Sequence, residues 1–570
     1  MPTDQQRDVI GHQGSAFVTA CPGAGKTRTM VERARRLTDS PEDRRGVAFL
    51  SFTNAAIDEL EERLRAFGSL PSPLFPSFIG TFDRFLWQFL IAPFGIPGST
   101  ATPRLVPDKD DWEVKPYGKA QSLHLKCFDR ATGSVVAAFA KGEGFDVSAR
   151  DISPYETRAR NIISVARAIG HVDFEDVRIC VREHLADPAF SARVGAALGA
   201  RFREIVVDEA QDCNPADLAI VSWLRKSSIV VKVICDPHQS IYKFRGGVTD
   251  ELLRFADTFV AEDRLPMSGN FRSTPAICAA IAALRPPGAR TEPDKPLGRY
   301  KEDRTPVHLL SYSGSGVSAR IGPKFSELVR PFGIPFDQTP VLASTRASAA
   351  KAIGQPTLKA TTHKTLLLAQ VAMNYHFAFA AGNRREALIA LHRITLVVQG
   401  HINSAGDYHT YIADNGLEDG RWRPAIIAVA NGLRFDPADA PDQWLAKARA
   451  LVGRDVVKGL NINQRLKSHG DLAAALSGAP PEASPPRTIH SAKGAEFPAV
   501  CVVMTSQTAG KIMDYLEGRT TNSADEDARK IYVAASRAER LLALAVPRSS
   551  ASRMRALLAG TGCKVQLHEI

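Results

Sequence analysis

Residues 20–27 read ACPGAGKT. Gly23 and Gly25 let a backbone approach phosphates closely and turn its amides toward them. Lys26 has the reach to meet the β- and γ-phosphates, and the Thr27 hydroxyl suits Mg²⁺. Ala20, Cys21, Pro22 and Ala24 complete the loop, and Ala20 stands where the usual pattern has Gly. A second stretch, IVVDEAQD at 205–212, offers Asp208 as an acid for Mg²⁺ and Glu209 as a base that polarises an attacking water. Phosphoryl transfer also needs positive charge on the transferred group. Arg272 in GNFRSTPAI and Arg537 in IYVAASRAER are candidates, although an isolated arginine is ordinarily a surface ion-pair residue. Cys21 is either loop filler or a thiol that exposes the site to oxidation and alkylation. Together these residues imply nucleotide hydrolysis. They do not say whether it serves a kinase, a switch or a motor.

Such residues need elements to hold them. SAFVTA (15–20) is a short apolar run that ends at the Gly-rich turn, and KTRTMVERARRL follows with helical spacing of Met30, Ala34 and Leu37. A helix opening there adds the positive end of its dipole to the phosphate cradle. GVAFLSFT, REIVVDEAQD and SIVVKVICD read as further buried strands. Their apolar runs hardly alternate, as in a parallel sheet covered on both faces, where ligands bind beyond the carboxyl ends of the strands. A second set follows: VHLLSY, PVLAS, AVCVVM and LLALAVP. The expected fold is α/β, with two P-loop-type cores of parallel sheet flanked by helices, each interrupted by a mostly helical insertion. The first core takes 1–89 and 201–257, with its insertion at 90–200. The second takes 258–350 and 486–570, with a reduced insertion at 351–485.

The 570 residues carry a net charge of +11, which suits a polyanionic partner such as nucleic acid and also a merely basic protein. No apolar run reaches the roughly 18 residues of a membrane span, and the N-terminus shows no signal-peptide core. The 8 cysteines are scattered without a C-x-x-C pair, which argues against a zinc or iron–sulfur site and fits a reducing, cytoplasmic location.

Taken in order, TDQQRDVI, ACPGAGKTR, LSFTNAA, GTFDRF, IVVDEAQDCN, CDPHQSIYKFRGG, NFRSTPAI, TIHSAKGAEFPAV and DARKIYVAASRAER resemble the ordered motifs of superfamily 1A helicases of the UvrD/Rep/PcrA type. The resemblance runs from residue 3 to about 545, and DFEDV (173–177) resembles the end of that family's first insertion. It implies two RecA-like cores, subdomains 1A and 2A with insertions 1B and 2B. Ala20 is then a family feature. Gln6 resembles the adenine-reading glutamine, with Arg28 and Phe271 placed to sandwich the base. Gln239 resembles the sensor between γ-phosphate and DNA, Arg272 and Arg537 the arginines that meet the γ-phosphate, and Glu496 the ribose-contacting acid.

Single strands are held by backbone contacts and aromatic platforms. Phe52, Phe82, Tyr242 and Phe244 are candidate platforms, with core packing the alternative for each; the resemblance favours stacking for Tyr242 and Phe244. Thr53, Asn54, Thr81 and His490 lie in the family's strand-contacting motifs. Asp83 replaces a frequent His, and an acid is unfavourable beside phosphates. The resemblance implies an ATP- and Mg²⁺-dependent enzyme that moves 3′→5′ on single-stranded or tailed duplex DNA. Two readings stay open: an autonomous helicase of repair or replication restart, or a DNA-sensing ATPase subunit beside a nuclease or repair protein, as in short UvrD-like proteins of antiphage systems such as Gabija.

Overall fold

The structure is a computed structural model. It describes all residues except 1, 39–42, 67–74, 107–108, 149, 241–248, 291–293, 356–361, 381–383, 418, 437–438, 477–483 and 521–524. The chain divides into two compact units. One comprises Met1–Phe85, Leu185–Thr357 and Ala479–Ile570; the other comprises Leu86–His184 and Leu358–Gly478.

The first unit holds two six-stranded parallel sheets. In chain order their strands are β1 (Ala16–Ala20), β2 (Gly46–Ser51), β3 (Phe78–Thr81), β4 (Phe202–Val207), β5 (Val230–Cys235), β6 (Arg264–Met267), β7 (Val307–Tyr312), β8 (Val341–Ala343), β9 (Pro486–Thr488), β10 (Phe497–Val503), β11 (Ala538–Pro547) and β12 (Val565–Glu569). The first sheet has the order β6-β1-β5-β4-β2-β3 and the second β9-β8-β10-β11-β7-β12. The helices that matter for the site are α1 (Asp4–Gly11), α2 (Lys26–Thr38), α3 (Asn54–Ala66), α4 (Pro275–Ala283) and α5 (Asp525–Ala535).

The apolar runs become central strands because both faces are covered. In the second sheet, alternate residues feed different cores. Leu309, Val500 and Leu542 enter one; Leu310, Cys501 and Ala543 enter the other. Two-sided burial is what a strand without polar alternation requires.

The first sheet also takes in Arg264–Met267, which pairs in parallel with β1. It therefore reaches past the boundary expected at residue 257. Residues 185–200, expected in the first insertion, cluster with the sheets.

The second unit is mainly helical, with Ser153–Ala168 and Phe174–Leu185 from the first insertion and Lys364–Ala380, Arg384–Gln399 and Pro441–Val452 from the second. Leu368, Leu391 and fully buried Trp444 share one of its cores. The DFEDV stretch opens a helix. Asp173 and Asp176 exchange backbone-to-carboxylate hydrogen bonds of 2.9 and 3.0 Å, while Lys109 pairs with Asp176 and Arg130 with Asp173. This reciprocal cap satisfies amide groups that a helix start leaves without intrahelical partners. No described helix is long and apolar enough to cross a membrane.

Candidate ATPase site and nucleic-acid track

β1 ends at Ala20 and α2 begins at Lys26, so the candidate phosphate loop spans the carboxyl end of a central strand and a helix N-terminus. Gly23 and Gly25 have φ of +69° and +74°. That left-handed region favours glycine because it carries no Cβ. Gly23 is needed for space as well: a Cβ there would lie 2.6 Å from Asn270 Oδ1 and 2.7 Å from Arg272 Cβ. Its carbonyl accepts a 2.8 Å hydrogen bond from the Phe271 amide. The GNFRSTPAI segment therefore packs directly on the loop.

β4 delivers the acids. Lys26 Nζ is 2.5 Å from Glu209 Oε1 and 3.9 Å from Asp208 Oδ1. Burial raises the Asp208 carboxyl to about 6, with Lys26 opposing and the Glu209 charge reinforcing the rise. Burial also disfavours charge on Glu209, but Lys26, then Lys493, hold its carboxyl down to about 2. Burial disfavours the charged Lys26 ammonium, yet the two carboxylates raise its pKa above the ordinary lysine value. Glu209 adopts a left-handed backbone, φ +56°, a conformation uncommon for a residue with a side chain and frequent at functional sites. Asp208 Oδ1 is buried without a hydrogen-bond partner among the described residues.

β5 delivers a third group. Gln239 Nε2 donates to Asp236 Oδ2 at 2.9 Å, and Gln239 Oε1 accepts from the Arg537 guanidinium. Gln211 joins the two strands' loops: its amide nitrogen donates to Glu209, and its oxygen accepts from the Asp236 backbone at 3.1 Å.

The second core contributes the arginines. Arg537 follows α5 and is buried. Burial, then neighbouring Arg272, push its guanidinium down to about 10. Arg272 donates to the Ser536 carbonyl at 2.7 Å and pairs with Glu496. Arg272 Nε and Asn270 Nδ2 are buried donors without partners among the described residues. The Asn270 amide orientation follows from its other bonds, since Oδ1 accepts from the Arg272 and Ser273 amides at 2.8 and 2.9 Å. Lys493 Nζ lies 2.5 Å from Asp212 Oδ1, with both side chains buried. This pair crosses from the second core to the first.

Gln6 forms a capping box with Thr3: its oxygen accepts from the Thr3 amide at 3.0 Å, and Thr3 Oγ1 accepts from the Gln6 amide at 3.2 Å. Gln6 Nε2 donates to the Ala24 carbonyl at 2.9 Å. A Cβ on Gly25 would meet Gln6 Nε2 at 2.9 Å and Phe271 at 3.9 Å, so these residues share one corner of the loop. Thr27 and Phe271 are half-buried and Arg28 is exposed. Ala20, Pro22 and Ala24 are buried beneath the loop. Cys21 is buried too, and burial, with Asp294 and Asp236 adding to it, raises its thiol pKa well above the ordinary value. A scarce, shielded thiolate is a poor target, which favours the loop-filler reading of Cys21 over the reactive-thiol one.

On the proposed strand-binding side, Phe52 and Phe82 stack on each other at 5.3 Å. Phe82 is fully buried, leaving half-buried Phe52 as the ring of the pair with exposed surface. Thr53 Oγ1 accepts from the Ala56 amide at 3.3 Å, where α3 starts, and Thr81 Oγ1 accepts from the Arg84 amide at 3.2 Å. Asn54 is exposed; Asp83 and His490 are half-buried. Tyr242 and Phe244 lie outside the described residues.

The residues that sequence reasoning left unassigned, Gln211, Asp236, Lys493 and Tyr532, all sit inside motifs it had singled out. Their position within DEAQD, CDPHQS, SAKGAEF and IYVAASRA was the available signal.

Residues 1–260 match the UvrD/REP helicase N-terminal domain, and residues 485–549 match the UvrD-like helicase C-terminal domain. The chain is 26% identical to the ATP-dependent DNA helicase UvrD2 of Mycobacterium tuberculosis over 96% of its own length and 79% of the relative's. It is 27% identical to DNA helicase II of Haemophilus influenzae over 48% of this chain and 38% of that one, and 25% identical to DNA helicase II of Salmonella typhimurium over 49% and 40%. With residues 1–260 and 485–549 matching the family's two domain models and two parallel sheets flanked by helices, the chain belongs to the UvrD/Rep-type family of superfamily 1A DNA helicases.

Proposed function

We propose that this chain is an ATP-driven translocase on single-stranded DNA that separates duplexes in the 3′→5′ direction. The observation that carries this reading is the convergence of Lys26, Asp208, Glu209 and Gln239 from one core with Arg272 and Arg537 from the other.

Each cation has an acceptor within the protein. Lys26 is held by Glu209, Arg272 by Glu496 and the Ser536 carbonyl, and Arg537 by Gln239. A triphosphate competes for all three. Arg537, whose pKa its surroundings lower, gains a counter-charge when phosphate arrives. Glu209, released from Lys26, becomes free to orient and deprotonate a water. Gln239, released from Arg537, becomes free to read the γ-phosphate.

Mg²⁺ fits this donor set. Thr27 and Asp208 would hold it, and the buried Asp208 Oδ1 without a hydrogen-bond partner is the supporting observation. When bound, the ion neutralises charge on the β- and γ-oxygens. Arg28 and Phe271 would flank the adenine, with Gln6 reading its edge and Glu496 meeting the ribose.

Because the arginines and the P-loop belong to different sheets, ATP acts as a ligand of the closed arrangement. Hydrolysis removes it, which is the two-state bias a stepping motor needs. Phe52, Thr53, Asn54, Thr81, His490, Tyr242 and Phe244 would line the DNA path, with Phe82 supporting Phe52 from beneath.

The test is hydrolysis with and without single-stranded DNA, then unwinding of 3′- and 5′-tailed duplexes. DNA-stimulated hydrolysis with unwinding only from the 3′ tail is expected. Unwinding only from a 5′ tail would overturn the polarity. Stimulated hydrolysis without strand separation would favour the nuclease- or repair-complex ATPase instead.

A further inference from the structure

Asp236 has no part in the phosphate chemistry described above, yet it is the centre of a buried network. Its backbone amide reaches Glu209 through Gln211. Its Oδ1 accepts from the His238 amide at 3.0 Å. Its Oδ2 accepts from Gln239 Nε2 at 2.9 Å and from the Tyr532 hydroxyl at 3.1 Å. The first three groups belong to the first core. Tyr532 belongs to α5 of the second core and is 1% exposed.

We propose that Tyr532 is a positioning residue for hydrolysis, one that sets the orientation of Gln239 by holding Asp236. The inference rests on the nucleotide-site reading given above. A buried tyrosine hydroxyl needs some partner, so the bond alone would signify only a satisfied core. The connectivity says more. Gln239 has one amide, with a donor end and an acceptor end. Its donor end is taken by Asp236, so its acceptor end faces Arg537. If Asp236 turned, Gln239 would lose the bond that selects this orientation.

Tyr532 and Arg537 come from one segment of the second core and grip Asp236 and Gln239 in one loop of the first. Of these two contacts, the Arg537–Gln239 bond engages the guanidinium for which a phosphate would compete. The Tyr532–Asp236 bond competes with no phosphate. It therefore serves as the retained pivot while the arginine exchanges partners. The ring is braced as well: His238 packs edge-on against Tyr532 at 5.8 Å, and Arg285 lies beside its hydroxyl.

Tyr532→Phe removes one oxygen and keeps the ring. With single-stranded DNA present, kcat is expected to fall about tenfold while the KM for ATP stays within about twofold, because the lost bond orients a group that acts on the transition state. A melting curve shows that the variant is folded. Asp236→Asn, the second variant, should lower kcat at least as much, since an amide nitrogen in place of Oδ2 accepts from neither Gln239 nor Tyr532, and the double variant should lower it little further than Asp236→Asn alone.

A Tyr532→Phe kcat within about twofold of the parent would overturn the proposal. So would single effects that simply multiply in the double variant, because the hydroxyl would then act elsewhere. If Tyr532→Phe fails to fold, a parental kcat in folded Asp236→Asn overturns it as well. The parent and Lys26→Ala, run in parallel, report separately on the nucleotide site: hydrolysis by the first and not the second upholds that reading whatever Tyr532→Phe does.

Discussion

Lys26 is tied to Glu209 at 2.5 Å and lies near Asp208, so it neutralises the two acids proposed to act on ATP. Removing it has two separable effects. Lys26→Ala should reduce DNA-stimulated hydrolysis by at least about a hundredfold, since a preorganised cation on the transferred phosphoryl group is lost. It also leaves two buried carboxylates with one cation fewer. Some stability is therefore lost, although Lys493 and Arg537 still act on Glu209. Hydrolysis near the parental rate, in a sample whose melting curve is cooperative, would dismiss the P-loop assignment. At this scale sequence reading went furthest. The identities and spacing of Lys26, Asp208, Glu209, Arg272 and Arg537 marked them as candidates. Lys26 lies beside Asp208 and Glu209, while Arg272 meets the Ser536 carbonyl next to Arg537, which contacts Gln239. Cys21 stayed between two readings, because accessibility is a property of packing; its thiol is buried.

At the scale of elements, the phosphate loop is shaped by a helix start on one side and by a neighbouring core on the other. Gly23 serves both. Gly23→Ala would force a Cβ into Asn270 and Arg272 at under 3 Å and strain a φ of +69°. The expected outcome is a raised KM for ATP and hydrolysis at least about tenfold slower, as a misplaced phosphate cradle loses its transition-state contacts. Nucleotide titration and steady-state kinetics measure both, and parental kinetics would mean that the GNFRSTPAI segment does not press on the loop in the working enzyme. The strands were legible because parallel strands buried on two faces leave uninterrupted apolar runs. Their limits were less so. Arg264–Met267 carries no such run, and it joins the first sheet by pairing with β1, a long-range contact without a local signature.

At the scale of the whole molecule, each compact unit carries a buried histidine that resists protonation. His308, in β7, is lowered to about 4 by burial, with His568 and Lys324 adding to the effect. His392, in the helical unit, is lowered to about 4 by burial; it stacks on Trp422 at 4.0 Å and meets the Tyr408 hydroxyl at 2.9 Å. The unfolded chain takes up these protons near pH 6.5 and the folded one near pH 4. Between those values the unfolded state binds more protons, so stability is full above about pH 6.5 and falls as pH drops toward 4. Thermal melts at pH 7.5, 6 and 5 should show the decline. His308→Gln and His392→Gln together should flatten it relative to the parent. An unchanged slope in the double variant would assign acid sensitivity to other groups.

The sequence by itself determined the fold class, through apolar runs that read as parallel strands covered by helices, and it named the candidates for the chemistry: a phosphate loop, an acid pair and two arginines. These are local facts, set by residue type and by spacing along one element. Only the tertiary structure decided the pairings across elements. It joined Lys493 to Asp212 and Tyr532 to Asp236, buried Phe82 beneath Phe52, shielded Cys21, and extended the first sheet to Arg264–Met267. Each of these depends on contacts between residues far apart in the chain. Periodicity and motif spacing carry no term for that separation, whereas burial, hydrogen bonding and charge pairing between packed surfaces do.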